Sequence, residues 1–122
     1  MDKLSQPEEQ AMQVFWEVGE ANVKAVLERL VAPQPPYTTL ASTVKNLEKK
    51  GFLNSRLLGN MYVYQPAISE ESYKRNFMGE FIRNYFDNSY KEVVNFFVNE
   101  QQLSKEELQE IIRLIEKSNK AR

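Results

Sequence analysis

The sequence predicts a mainly α-helical chain in the order helix, helix, helix, two-stranded β-hairpin, then three more helices. Three observations predict it. Apolar residues recur at helical spacing in six stretches, bounded by capping residues, Gly or Pro. Between the third and fourth stretches lie two short strand-like runs joined by Gly59-Asn60, a hairpin-turn signal. The first three helices and the hairpin together fill residues 5–66, which is the plan of a winged helix-turn-helix.

The first helix opens at Ser5-Gln6-Pro7-Glu8, with Ser5 as N-cap, Pro in the first turn and Glu8 closing a capping box. Met12, Phe15 and Trp16 follow at helical spacing, with Val14 and Val18 widening the apolar face, until Gly19 stops the helix. Asn22 caps a short second helix through Leu30, with Val23, Val26, Leu27 and Leu30 inward. Ala32-Pro33-Gln34-Pro35-Pro36 ends it, because proline cannot continue the hydrogen-bond ladder. The third helix is expected from near Thr38 to Gly51, a left-handed C-terminal glycine. Leu40, Val44 and Leu47 form its narrow apolar stripe.

Strands are expected at Phe52–Leu58 and Met61–Gln65, closed by Pro66. In the second, Tyr62 and Tyr64 share one face, and Met61, Val63 and Gln65 the other. Beyond Ser69 the chain reads as helical throughout. Tyr73, Phe77, Phe81 and Tyr85 recur every four residues, with Ile82 and Phe86 alongside. Ser89-Tyr90-Lys91-Glu92 and Ser104-Lys105-Glu106-Glu107 read as two further capping boxes. They open helices carrying Val93, Val94, Phe96 and Phe97, and then Leu108, Ile111, Ile112 and Ile115. The expected division is a winged-helix domain over 1–67 and a helical dimerisation region over 68–122.

Composition removes several function classes. Of 122 residues, 42% are hydrophobic and 27% charged, a balance that folds. No apolar run is long enough to span a bilayer, and Met1-Asp2-Lys3-Leu4-Ser5 lacks the apolar stretch of a secretory signal, so no membrane insertion and a cytoplasmic location are expected. Without Cys or His there are no thiolate ligands, no imidazole ligands and no histidine general base. No Gly-rich phosphate loop is present either, so no catalytic residue, metal or cofactor is assigned and an enzyme is the least favoured reading.

The net charge of −1 conceals an uneven distribution. Residues 37–66 carry Lys45, Lys49, Lys50 and Arg56 against Glu48 alone, whereas the rest of the chain after 66 is slightly acidic. On the third helix Thr38, Ser42, Lys45 and Lys49 lie opposite the apolar stripe, with Asn46 flanking them, as a helix entering the major groove requires. Lys45, Lys49 and Lys50 suit phosphates, while Arg56, Asn60 and Tyr62 on or beside the hairpin suit the sugar-phosphate backbone or the minor groove. The same fold also serves as a protein-interaction module, which stands as the alternative.

The tail stripe is a large apolar surface for three short helices. It points to a homodimer, the alternative being a tail folded onto its own head. Tyr73, Phe77, Phe81, Tyr85, Phe86, Val93, Phe96, Phe97, Ile111 and Ile115 are the candidate dimerisation residues. A two-fold dimer presents two recognition helices to a pseudo-palindromic operator in double-stranded DNA.

Five stretches carry a family resemblance: Leu4-Ser5-Gln6-Pro7-Glu8-Glu9-Gln10-Ala11-Met12 with Phe15-Trp16; Asn22-Val23-Lys24-Ala25-Val26; Tyr37-Thr38-Thr39-Leu40 leading to Leu47-Glu48-Lys49-Lys50-Gly51; Tyr62-Val63-Tyr64-Gln65-Pro66; and Leu103-Ser104-Lys105-Glu106-Glu107-Leu108. In that order and spacing the chain resembles the BlaI/MecI penicillinase-repressor family over nearly its whole length. The resemblance implies a homodimeric winged-helix repressor of transcription whose helix Thr38–Lys50 enters the major groove, with Thr38, Thr39, Ser42, Thr43, Lys45 and Asn46 nearest the bases. It further implies relief by cleavage of the tail, in a pathway started by a membrane sensor protease that detects β-lactam, hence a link to antibiotic resistance. The family's cut falls at an Asn-Phe bond. Asn95-Phe96 offers that dipeptide, whereas counting back from Leu103-Ser104 lands on Phe96-Phe97, so Asn95, Phe96 and Phe97 bound the candidate cleavage segment. The family's copper-sensing branch uses tail cysteines, which this chain lacks. Lys45-Asn46 also departs from the family's usual recognition helix, which implies a different operator preference.

Overall fold

In the computed structural model, residues 3–120 are described; Met1 and Asp2, part of the segment read for a leader, lie outside them. Eight elements follow one another: α1 (Gln6–Val18), α2 (Val23–Arg29), α3 (Tyr37–Lys49), β1 (Leu53–Leu58), β2 (Met61–Pro66), α4 (Glu70–Phe86), α5 (Tyr90–Asn99) and α6 (Lys105–Lys120). This is the expected mainly α, winged-helix order. The chain forms two compact units, one ending at Asn76 and the other beginning at Phe77.

In the first unit the caps act as their residue types dictate. The Ser5 hydroxyl accepts from the Glu8 amide while the Glu8 carboxylate accepts from the Ser5 amide, so two orphan donors of α1 are satisfied reciprocally. Asn22 Oδ1 accepts from the Ala25 amide at 2.8 Å and starts α2. Helix α3 begins at Tyr37, one residue before the expected start, with Pro36 as an N-cap that makes no side-chain bond. Its end is a Schellman motif. Gly51, at φ +85°, donates to the Glu48 carbonyl, and Phe52 donates to the Leu47 carbonyl. Phe52 was expected to begin a strand. It serves instead as the apolar residue that closes this turn, and it is fully buried.

The core lies where α1, α2, α3 and the base of the hairpin meet. Met12, Phe15, Val26, Val44, Leu47, Phe52 and Leu53 are its largest fully buried side chains, joined by Leu40 of the α3 stripe. Strands β1 and β2 pair antiparallel, from Leu53 opposite Pro66 to Leu58 opposite Met61. Gly59, at φ +64°, supplies the positive φ required at the first central position of a type II′ turn. The link between α1 and α2 adds a one-residue third strand: Ala21 and Tyr64 exchange both backbone hydrogen bonds, at 3.0 and 2.8 Å.

The first turns of α4 close this unit. Trp16 Nε1 donates to the Ile68 carbonyl at 2.9 Å. The Tyr73 ring lies 5.4 Å from Trp16 and 5.9 Å from Phe52, and its hydroxyl donates to the Glu9 carboxylate at 2.7 Å.

The second unit holds the rest of α4 with α5 and α6. Ser89 caps α5, and Ser104 and Glu107 form a reciprocal box at the start of α6. Helix α5 ends in the same Schellman pattern as α3, with Gln101 at φ +58° in the glycine position. A chain of ring contacts runs from Tyr85 through Phe81, Phe86 and Phe96 to Phe97, at 5.0–6.0 Å. Among the described residues of this unit, Ile82 alone is buried. No helix among the described residues is long and apolar enough to cross a membrane.

Candidate nucleic-acid interface

Helix α3 is anchored on one side and bare on the other. Leu40, Val44 and Leu47 are sunk in the core, and Thr38, Thr39, Ser42, Lys45, Asn46 and Lys49 are exposed. Thr43 is half-buried, and its hydroxyl donates to the Thr39 carbonyl at 3.1 Å, which fixes its rotamer. The wing is tied to this helix by a short hydrogen bond from the Ser55 hydroxyl to the Glu48 carboxylate. Helix and wing therefore present one surface.

Between them lies an open cleft of about 600 Å³. Tyr37, Ala41 and Lys45 of α3 line it with Asn22, Val23 and Lys24 at the start of α2, and Asn60, Met61, Tyr62 and Tyr64 of the wing. Two lysines, two asparagines and three tyrosines face the cleft, with no carboxylate among its lining residues. Hydroxyl, amide and ammonium donors without a competing anion are what a sugar-phosphate strand needs. Burial pushes the Tyr64 hydroxyl above its ordinary range, aided by the charge of Glu48.

Sequence reasoning named Lys45, Asn60 and Tyr62 of this cleft and did not name Lys24 and Tyr37, which line it with them. Lys24 follows the Asn22 cap on the side away from Val23 and Val26. That outward position beside a cap was the available signal.

Two expected phosphate contacts already have partners. Lys50 Nζ lies 2.8 Å from Glu8 Oε1 and also donates to the Lys3 carbonyl at 3.4 Å. Glu8 is 5% exposed, and burial alone would raise its carboxyl. The Lys50 and Ser5 hydrogen bonds outweigh burial and leave it below the ordinary glutamate value. Arg56 forms a two-bond fork with Glu20 at 2.7 Å for each bond. That fork lowers Glu20 and raises Arg56 further.

The tail residues divide likewise. Phe77, Phe81, Tyr85, Phe96, Phe97, Ile111 and Ile115 are exposed, and Phe86 and Val93 are half-buried. Tyr73, read as the start of this stripe, is packed in the winged-helix unit. Asn95, Phe96 and Phe97 sit inside α5, within hydrogen-bonded helix.

The profile of the penicillinase repressor family matches residues 4–117. The penicillinase repressor of Bacillus licheniformis is 28% identical over 115 residues, 93% of this chain and 90% of that protein. The methicillin resistance regulatory protein MecI of Staphylococcus aureus (strain N315) is 22% identical over 117 residues, 94% of each. Among solved structures, the DNA-binding domain of the repressor BlaI matches 60% of this chain and 94% of its own, at 31% identity and a TM-score of 0.52. The monomeric form of Bacillus licheniformis BlaI, solved in complex with the blaP half-operator, matches 59% of this chain and 89% of its own, at 30% identity and a TM-score of 0.50. With its order of elements, the exposed polar face of α3 and a match that leaves out only the two ends, this chain belongs to the penicillinase repressor family.

Proposed function

We propose that this chain is a transcriptional repressor that binds a pseudo-palindromic operator as a homodimer, placing α3 in the major groove and the wing beside it. The observation that carries the reading is the split character of α3: an apolar stripe sunk in the core and an exposed face of hydroxyls, Lys45, Asn46 and Lys49. Membership of a family of repressors rather than enzymes supports it, and so does a relative solved on a half-operator. Thr38, Thr39, Ser42 and Asn46 have the short polar side chains that reach base edges. Lys24, Lys45 and Lys49 neutralise phosphate, and Tyr37, Asn60 and Tyr62 donate to the backbone around the cleft. Lys50 and Arg56 reach DNA only by leaving Glu8 and Glu20.

The second unit is read as the dimerisation half. It leaves Tyr85, Phe96, Phe97 and Ile115 exposed with Ile82 as its one buried residue among those described, a surface too apolar for a free monomer. A second copy covers it and sets the half-site spacing near a whole number of helical turns. A cytoplasmic location for this chain, and relief by its cleavage at Asn95–Phe97 in a pathway started by a membrane sensor protease, fit this plan. Proteolysis of a helical segment depends on local opening, which a marginal tail supplies.

The test is selection from a random duplex pool at two salt concentrations. Recovery of a two-fold symmetric site is expected, with log K falling against log salt at a slope of about −5 for some six phosphate contacts. Recovery of no sequence above background would overturn operator binding and leave the protein-interaction module.

A further inference from the structure

The tip of the wing is built of the wrong residues for a cationic clamp. Leu57, Leu58, Met61 and Tyr62 are 58, 49, 45 and 58% exposed, and Gly59 and Asn60 complete the turn between them. From Leu57 to Pro66 the chain carries no charge. The one cation of the hairpin, Arg56, is occupied by Glu20 in a two-bond fork. Exposed strand ends are ordinarily blunted with charge, because an apolar tip invites association. Here that apolar character is concentrated on a few side chains.

The register says which way they face. Leu57 is opposite Tyr62 and Ser55 opposite Tyr64, so these four share one face. Ser55 bonds to Glu48 of α3, and Tyr62 and Tyr64 line the cleft with Lys45. The Leu57–Tyr62 pair therefore extends the surface of the recognition helix. Leu58 and Met61 are paired on the opposite face, where Met61 Sδ accepts from the Asn22 amide at 2.8 Å and tethers the tip. The tip is far too small for a standard protein interface of roughly 800 Å² per partner, whereas one hairpin turn suits a minor groove about 6 Å wide.

We propose that the wing acts on duplex DNA as an apolar wedge: Leu57, on the face it shares with Tyr62 and α3, enters the minor groove flanking the α3 site, parts a base step and selects steps that deform easily. This rests on the operator-binding reading above. Apolar side chains that enter the minor groove unstack and kink the duplex, at least cost where a TA or CA/TG step lies. A wedge releases no counterions, so its contribution to affinity is independent of salt.

The experiment uses the full chain and the selected operator, with Leu57→Asn as the variant, and measures affinity, salt slope and DNA bending. The expected result is about a tenfold loss of affinity and a smaller bend, with the slope unchanged. The loss should vanish on an operator whose flanking step is placed in a stiff A-tract. Leu57→Lys is the reciprocal variant. It should steepen the slope by about 0.9 and reduce the bend likewise, and it also serves if Leu57→Asn does not fold. Unchanged affinity and bending in the variants, or a change in oligomeric state in place of bending, would overturn the wedge while operator binding stands. Failure of the unaltered chain to bind any duplex would remove the operator reading itself, and the wedge with it.

Discussion

The helices of the two units begin and end with the same devices and reach opposite outcomes. Ser5 with Glu8 opens α1, and Ser104 with Glu107 opens α6, each by a reciprocal box. Schellman turns close both α3 and α5. Yet the apolar face behind the first box is sunk to 0% exposure at Ala11, Met12 and Phe15, whereas Ile111, Ile112 and Ile115 behind the second stand 38, 53 and 55% exposed. Capping and periodicity decide that a helix forms. They do not decide what covers it. The winged-helix unit completes its core within one chain, and the tail leaves its apolar face exposed.

The sharpest way to break that comparison is to remove one large ring from each half. Phe15→Ala opens a cavity in the closed core and should cost about 3–5 kcal/mol. The loss should appear in urea unfolding of the first unit at every protein concentration. Phe97→Asp, on a ring already 42% exposed, should leave that transition in place and shift the chain from dimer to monomer in sedimentation. If Phe97→Asp instead unfolds the first unit and leaves the oligomeric state unchanged, the two halves are not energetically distinct in the way their burial indicates.

What the sequence made legible follows the same division. Leu40, Val44 and Leu47 were read as the inward stripe of α3 and are all buried, because burial in a closed core obeys the helical period. Gly51 was legible as a left-handed residue because few other residue types tolerate that conformation. Three things were not legible. Ala21 joins Tyr64 through one residue, too short to carry an alternating pattern. The pairs of Glu8 with Lys50 and Glu20 with Arg56 join residues far apart in sequence, where composition tells the charge but not the partner. Tyr73 read as one stripe with Tyr85, but each four-residue step rotates about 40° past a full turn, so the two point about 120° apart. Tyr73 accordingly packs on Trp16.

A smaller effect tests whether the first unit is closed by polar contacts as well as apolar ones. Lys50→Ala removes the cation from a nearly buried carboxylate and should cost about 1–3 kcal/mol. The sign with pH follows from Glu8 being lowered in the folded state. The stabilisation is present above the ordinary glutamate range and fades as pH falls through the depressed folded value. Thermal unfolding of Lys50→Ala against the parent should therefore differ most near neutrality and converge in acid. A difference that grows toward low pH would show that Lys50 acts through something other than Glu8.

The smallest effect exchanges the left-handed residues of the two Schellman turns. At Gly51 a Cβ meets nothing within 4 Å, so Gly51→Ala carries only the backbone cost of φ +85° and should lose about 1 kcal/mol. Gln101 bears that cost already at φ +58°. Gln101→Gly removes it but admits more freedom to the unfolded chain, so a gain below about 1 kcal/mol is expected, visible as slower amide exchange at the end of α5. Opposite signs at the two sites would mean that each turn is a local device whose strain is independent of what covers its helix. A loss on Gln101→Gly would mean that the glutamine side chain is used once the tail is covered, which would bring the end of α5 into the surface between two copies.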